Sequence, residues 1–503
     1  MAFAPFVDAA AAAAVARLAA TMKLERVIAA LAPSDVVQRA PVEISDLAYD
    51  AREVTAGALF FCVRGERHDG HAFAQEAVAR GAAALVVEHP LEVTAPQLVV
   101  RDARAAMATA AVAFFDDPSR ELEIAAVTGT NGKTTTTFLI ASVLEAAGRR
   151  PGLLGTIESW IGGERRPAIR TTPEAIDLQR AFRAMVDAGD RSCALEATSH
   201  GSELGRLDGV HFSALAFTNL GQDHLDFHGT IERYFQAKRR LFVRDERPPA
   251  AVNAADEHGR RLADELRALR HEQLLTFGFA DDADIRPERL ELDATGARFV
   301  AAGLELRTRL RGRFNVENVL ATVAVARLLG VDDEAIVSGV EALRGVPGRF
   351  EIVDEGQPFT VVVDYSHKPE ALENVLRTAR ELTKNRVLCV FGCGGDRDRA
   401  KRPLMGAIAT VLADVAIVTS DNPRSEDPDA IIAEVLQGAG PAAEVEPDRA
   451  AAIARAVERA HEGDVLVIAG KGHEQGQELA DRTIPFDDRE VAREALRRLG
   501  AAL

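Results

Sequence analysis

The sequence predicts an α/β protein of three domains: a small α/β domain, a central P-loop, ATPase-type domain on a parallel sheet, and a C-terminal doubly wound, Rossmann-like domain. Three observations predict it. A chain of 503 residues is too long for one ordinary core. Short apolar runs alternate with helical segments along most of its length, the rhythm of parallel sheets. Turn-rich joints, "FFDDPSRE" around Pro118 and "RGVPGRFE" at residues 344 to 351, break that rhythm twice. The expected divisions are an alanine-rich extension over 1–21, then domains over 22–116, 117–346 and 347–503.

The extension, "MAFAPFVDAAAAAAVARLAAT", lacks the basic start of a signal peptide, and "MKLERVIAAL" from Met22 reads as the first amphipathic helix. What precedes Met22 is therefore expected to be a loose extension or a mis-called start. From Glu43 to about Val100 the runs "ALFFCV", "AALVVE" and "QLVV" alternate with the helical "HAFAQEAVARGA", a small α/β unit without an obvious catalytic cluster. "LEIAAVTGT" is then a buried strand running into a glycine loop and the helix "KTTTTFLIASVLEAAG". Beyond the second joint come "FTVVVDYSH", a helix from about Glu370, "RVLCVFGCGGDR", another helix, "VAIVTSDNPR" and "DVLVIAGKGHE". Ligands of such sheets sit beyond the carboxyl ends of the strands, so "GCGGDR", "SDNPR" and "GKGHE" should line one edge.

Charge excludes some partners. With 60 Lys+Arg against 77 Asp+Glu the formal net charge is −17, which argues against nucleic acid or an anionic membrane as the main partner. No uncharged run of ~18 strongly apolar residues occurs, so a soluble, cytoplasmic protein is expected. Cys62, Cys193, Cys389 and Cys393 show no paired C-x-x-C spacing and read as reduced thiols without assigned chemistry.

"AAVTGTNGKTTTT" carries the chemistry. Against the usual G-x-x-x-x-G-K-[ST] pattern, Val127 stands where the first glycine belongs. Even so, the N–H groups from Gly129 through Thr130, Asn131 and Gly132 and the helix N-terminus can cradle polyphosphate. Lys133 can reach the outer phosphates, and the hydroxyl of Thr134, followed by Thr135, can ligate Mg²⁺. In "CALEATSH" and "FTNLGQDHLDFHG", Glu196 and His224 follow short apolar runs and project from strand ends toward the same phosphates. Glu196 is a hard oxygen ligand; His224, taken alone, reads as a structural or hydrogen-bonding histidine. In "TIERYFQAKRRLF" the apolar stripe runs Ile231, Tyr234/Phe235, Leu241/Phe242, and Lys238 falls within it. Its bland reading is a snorkelling stem. A buried lysine of lowered pKa can instead react with CO₂ and become an anionic carbamate, a ligand for Mg²⁺.

With these motifs in place, the chain resembles the Mur ligases, ATP-dependent amide-forming enzymes of cell-wall peptide synthesis whose short loop reads G-T-N-G-K-[ST]-T. The resemblance covers essentially everything from Met22 onward and implies a UDP-binding first domain, an ATP-binding middle domain and an amino-acid-binding last domain. It implies that Glu196 and His224 are metal ligands and Lys238 the carbamylated lysine (N6-carboxylysine). Asn315 of "GRFNVEN", Arg349 of "GRFE" and Asp364 of "DYSHKP" match segments flanking the adenosine. "SDNPRSEDP", with Asp421, Asn422, Pro423 and Arg424, resembles the branch that adds meso-diaminopimelate to the D-glutamate γ-carboxylate of UDP-N-acetylmuramoyl-L-alanyl-D-glutamate. A guanidinium suits the second carboxylate that distinguishes diaminopimelate from lysine. Arg397, Gly470 and Glu474 match the other amino-acid contacts, and Glu474 could accept the distal ammonium.

For the nucleotide-sugar peptide the resemblance points to Ala51, Thr171, Thr172, Thr198 and Arg206. The chain departs from its pattern at Ala51, usually Ser, at Leu204, a Gln in some relatives, and at Arg170, an Asn in others. The implied co-substrate is ATP with Mg²⁺, and the expected state is a monomer. Rival readings are the lysine-adding counterpart, a folylpolyglutamate synthase, and an ATPase or GTPase switch that joins nothing.

Overall fold

A computed structural model describes residues 21–65, 68–293 and 295–502. The expected extension falls almost wholly outside these residues. Met22 and Lys23 form a short strand paired antiparallel to Glu43–Ile44, so the first helix runs Leu24–Leu31 rather than starting at Met22. Strand pairing of these two residues, with Met22 buried in the core, displaces the helical start.

In the N-terminal unit Asp46–Ala48, Ala58–Phe61, Ala84–Val87 and Gln97–Val99 are parallel, and Asp35–Val37 is antiparallel at the edge. Side chains alternate across a strand: Leu59 and Phe61 enter one apolar cluster, Ala58 and Phe60 the other.

The central sheet has eight strands. Pro151–Leu154, Ser192–Glu196, Glu123–Thr128, Ala214–Phe217, Ala250–Asn253 and Leu274–Phe277 run parallel in that spatial order. Glu158–Ile161 and Glu164–Pro167 add an antiparallel edge, so the sheet is mixed rather than purely parallel. The cause is the two-residue turn Gly162-Gly163, both at positive φ, which matches the twist of a hairpin. A separate antiparallel sheet, Glu288–Asp293, Gly296–Ala301 and Leu304–Thr308, inserts Phe299 and Leu306 into the central core.

In the C-terminal sheet the spatial order is Glu351–Val353, Thr360–Asp364, Val465–Ala469, Val387–Phe391, Val415–Val418, Glu444–Val445. All but the first are parallel. Helices Pro369–Leu382, Lys401–Leu412 and Pro428–Ala439 place Leu372, Met405 and Ile432 in one cluster. Arg449–Arg459 and Asp488–Ala502 place Ile453 and Leu496 in a second. Strand residues alternate between the two, Cys389 and Phe391 against Leu388 and Val390, so both faces are covered and the sheet is doubly wound. The strand Val465–Ala469 returns to lie between earlier ones, and this reversal opens a crevice at the carboxyl ends.

All four cysteines are free and buried. Among the described residues no helix is long and apolar enough to cross a membrane.

Behind the C-terminal crevice Arg449 and Asp488 are fully buried and paired twice at 2.7 Å, and Arg449 also donates to the Ala469 carbonyl at 3.0 Å. Asp488→Ala leaves an uncompensated charge in the core and should cost about 3–5 kcal/mol, read as a lowered urea midpoint for this unit. The double replacement Arg449→Met with Asp488→Leu should recover most of that loss.

Candidate active site

Between the central and C-terminal units lies a cleft of about 620 Å³, lined by the loop 130–135, by Thr156, Thr171, Glu196, Thr198 and His224, and by Arg349, Asp364 and Lys368 from the far wall. The loop leaves the central strand Glu123–Thr128 and enters the helix Lys133–Ala146. Gly129 at φ +148° is required by contact: a Cβ there would lie 1.9 Å from Thr218 Oγ1. The segment after strand Ala214–Phe217 braces the loop, with Thr130 N donating to the Asn219 carbonyl (2.9 Å), Asn131 N to Asn219 Oδ1 (2.9 Å) and Thr218 Oγ1 to the Asn131 carbonyl (2.6 Å). The Thr130 and Asn131 amides are thereby used within the protein. The donors that helix geometry leaves open toward an anion are those of the first turn, from Lys133 onward.

Lys133 Nζ donates to the carbonyls of Gly129 (2.8 Å) and Thr130 (2.9 Å). Burial and the nearby Lys368 push it down to about 8. Lys238 Nζ donates to the same Gly129 carbonyl at 2.8 Å and lies 4.5 Å from the Tyr234 ring centroid. Only 1% of Lys238 is exposed, and burial followed by the charge of Lys133 drives its ammonium well below the ordinary lysine range. Its helix, Ile231–Arg239, is capped by Thr230 Oγ1, which accepts from Arg233 N, and buries Tyr234, Phe235, Ala237 and Lys238. Ile231, expected in the apolar stripe, is instead exposed in the first turn; Leu241 and Phe242 are buried just past the helix.

Glu196 ends strand Ser192–Glu196. It accepts from Thr134 Oγ1 (3.1 Å), Thr156 N (2.8 Å) and Thr156 Oγ1 (3.1 Å). His224 sits at φ +51°, with Nε2 3.0 Å from Asp223 Oδ2; Asp223 also pairs with Lys368 of the opposite wall. No group of three His, Cys, Asp or Glu able to hold a metal occurs among the described residues. A cation at Glu196 would thus draw on hydroxyl and phosphate oxygens, a donor set that fits Mg²⁺, which commonly takes one or two protein carboxylates.

On the far wall Arg349 donates to Thr134 Oγ1 (3.3 Å) and lies over the Tyr365 ring at 4.4 Å. Asp364 accepts from Phe350 N (2.7 Å) and from the Ser366 hydroxyl, and burial raises its carboxyl. Asn315 is buried beneath the cleft and accepts from Asn318 Nδ2 (2.9 Å). Phe314, Glu317 and Asn318 of the same helix, Arg313–Leu328, line the cleft, and burial pushes Glu317 up to about 7.

Thr171 and Thr198 face the cleft beside Glu196. Thr172 is buried, donates to the Glu196 carbonyl (2.7 Å) and receives Thr198 Oγ1 (2.9 Å). Arg206 donates to the Thr172 carbonyl (3.1 Å) and pairs with Glu174 (2.8 Å), which also holds Arg104 and Arg170. Ala51 is buried in a short turn of the N-terminal unit, outside the cleft lining.

The three C-terminal loops meet at the sheet edge. Gly395 N donates to the Asn422 carbonyl (2.9 Å), Arg424 Nη1 to the Gly395 carbonyl (2.9 Å), and Asn422 Nδ2 to Glu474 Oε2 (2.8 Å). Gly470 at φ +126° lets Asp421 approach, since a Cβ would lie 2.4 Å from Asp421 Oδ2. Pro423 packs its carbonyl against Gly395. Arg397 is exposed, and its guanidinium donates to the adjacent Asp396 carbonyl at 2.9 Å. Tyr365 joins the two halves of the site, stacked under Arg349 on one side and 5.0 Å from the His473 ring on the other.

Thr156, Tyr365, Asn318 and Lys368 escaped sequence reasoning. Asn318 lies three residues after Asn315 on one helix face, and Lys368 stands within "DYSHKP", so both carried a local signal. Thr156 carried none.

Known proteins resemble this architecture throughout. Residues 43–132 match the Mur ligase family catalytic domain, 127–326 the Mur ligase middle domain and 348–472 the Mur ligase glutamate ligase domain. The chain is 47% identical over 476 residues to UDP-N-acetylmuramoyl-L-alanyl-D-glutamate--2,6-diaminopimelate ligase of Solibacter usitatus (strain Ellin6076), covering 92% of this chain and 95% of that protein. The protein of the same name from Streptomyces coelicolor (strain ATCC BAA-471 / A3(2) / M145) is 44% identical over 475 residues, 91% of this chain and 93% of its own. A solved structure of an enzyme of that name superposes with a TM-score of 0.69 at 34% identity, over 95% of this chain and 99% of the other.

Gly129→Ala should weaken binding of a non-hydrolysable ATP analogue at least roughly tenfold by calorimetry, because the Cβ displaces Thr218 and with it the loop brace. The thermal unfolding midpoint should fall by only a few degrees, since strain of this kind costs about 1–3 kcal/mol.

Proposed function

Because this chain belongs to the Mur ligase family, we propose that it is an ATP-dependent amide ligase adding meso-diaminopimelate to the D-glutamate γ-carboxylate of UDP-N-acetylmuramoyl-L-alanyl-D-glutamate, in peptidoglycan precursor synthesis. The observation that carries the reaction type is the convergence of Lys133, Glu196 and the phosphate loop in one cleft, with Lys238 buried against the loop's Gly129 carbonyl. The choice of amino acid rests on Arg424 and Glu474, held on adjoining loops beyond the strand ends.

In the first step a γ-carboxylate oxygen bonds to the ATP γ-phosphorus while the bond to the bridging oxygen breaks, giving an acyl phosphate and ADP. In the second, the diaminopimelate amine adds to the acyl carbon, and the tetrahedral intermediate expels phosphate as the amine loses a proton. Lys133 and the helix-start amides offset charge on the transferred phosphoryl. Glu196, the Thr134 hydroxyl, His224 and carbamylated Lys238 would hold Mg²⁺, which neutralises phosphate charge when bound. Thr171, Thr198 and Arg206 orient the nucleotide peptide; Asn315, Arg349 and Asp364 act at the adenosine end. Asp421, Asn422, Pro423, Gly470 and Arg397 shape the amino-acid pocket. Domain closure excludes water that would hydrolyse the acyl phosphate. In this reading the enzyme acts in the cytoplasm as a monomer.

The selectivity has a direct assay. Given ATP, Mg²⁺ and the nucleotide dipeptide, the protein should form the diaminopimelate adduct by mass, with lysine disfavoured by roughly 10⁴-fold in kcat/KM. A lysine adduct alone, or phosphate release independent of amino acid, contradicts the reading.

A further inference from the structure

Lys471 of "GKGHE" is fully buried, yet it ends among the polar groups of the amino-acid pocket. Its ammonium donates to Asn422 Oδ1 (2.7 Å) and Glu474 Oε2 (3.1 Å). Only the oxygen of an amide can face an ammonium, so this contact fixes the orientation of Asn422 and directs its Nδ2 at Glu474. Glu474 Oε2 then carries two donors, which fix the carboxylate beside the Tyr365 hydroxyl that also bonds it.

The path continues to the guanidinium. Asn422 Oδ1 also accepts from Glu478 N (3.0 Å). Glu478 holds Arg424 twice, its carbonyl accepting Arg424 N–H (3.1 Å) and its carboxylate the Nε–H (2.6 Å). Arg424 sits at φ +52°, a backbone region disfavoured for arginine, so its placement depends on these bonds. With Nε on Glu478 and one Nη1 proton on Gly395, the outer Nη1–Nη2 edge faces an incoming carboxylate.

We propose that Lys471 and Glu478 are positioning residues that set selectivity for an amino acid bearing both a distal ammonium and a distal carboxylate, Lys471 aiming Glu474, Glu478 aiming Arg424, and Asn422 coupling the two. This rests on the amino-acid-adding reading above.

Steady-state kinetics of the full-length enzyme with Lys471→Met and Glu478→Gln test it. Both should raise KM for diaminopimelate by roughly tenfold to a hundredfold and lower the preference over lysine, while KM for ATP and for the nucleotide dipeptide stays within about twofold. A folded Lys471→Met enzyme with wild-type KM and preference overturns the proposal. Should that variant fail to fold, Glu478→Gln decides alone: its position is half-exposed, and unchanged KM and preference there overturn the proposal equally. Loss spread evenly over all three substrates indicates general damage and also counts against it. A wild-type enzyme that forms no diaminopimelate adduct instead overturns the functional reading beneath it.

Discussion

Two lysine ammonium groups, Lys133 and Lys238, converge on the single carbonyl of Gly129. Burial and then the charge of Lys133 lower the proton affinity of Lys238, while burial and the charge of Lys368 lower that of Lys133. Much of the site follows from that constraint. The cluster attracts polyphosphate from one side, and it favours a neutral amine at Lys238, the form that captures CO₂ and turns a cation into an anion. Glu196 beside Thr134 adds the carboxylate a hard cation needs once polyphosphate is present.

The two halves of the site sit on different units, and besides Phe314 packed against Phe350 they are joined by polar contacts. Arg349 reaches Thr134, Lys368 pairs with Asp223, and Glu370 approaches the backbone of Gln222. Polar contacts of this kind can be exchanged for contacts to substrate, which suits an enzyme that must admit a large nucleotide peptide and then exclude water from an acyl phosphate. Tyr365 carries the geometry onward, since it packs against Arg349 and against the loop that holds Glu474.

Much of this was legible in the sequence because the informative residues were local. The glycine loop, its lysine and its threonine lie within one strand, turn and helix, and Lys238 announced itself as a charge within an apolar stripe. The three amino-acid loops followed from one rule about strand ends. What stayed hidden depended on distant partners. Lys471 and Asn422 lie 49 positions apart, and no spacing in the chain predicts that their side chains meet. The sheet over Glu288–Thr308 was missed because its first strand, "ERLELD", reads as a solvated charged stretch. The Gly162-Gly163 hairpin did carry a turn signal, but its second strand, Glu164–Pro167, is mostly charged and exposed, as sheet edges are.

The conversion of Lys238 is open to one decisive observation: carbon-13 NMR of the protein equilibrated with labelled bicarbonate, Mg²⁺ and an ATP analogue. The account predicts a carbamate carbon resonance that is absent from Lys238→Ala. A spectrum without that resonance, from wild-type protein that turns over fully, would contradict it.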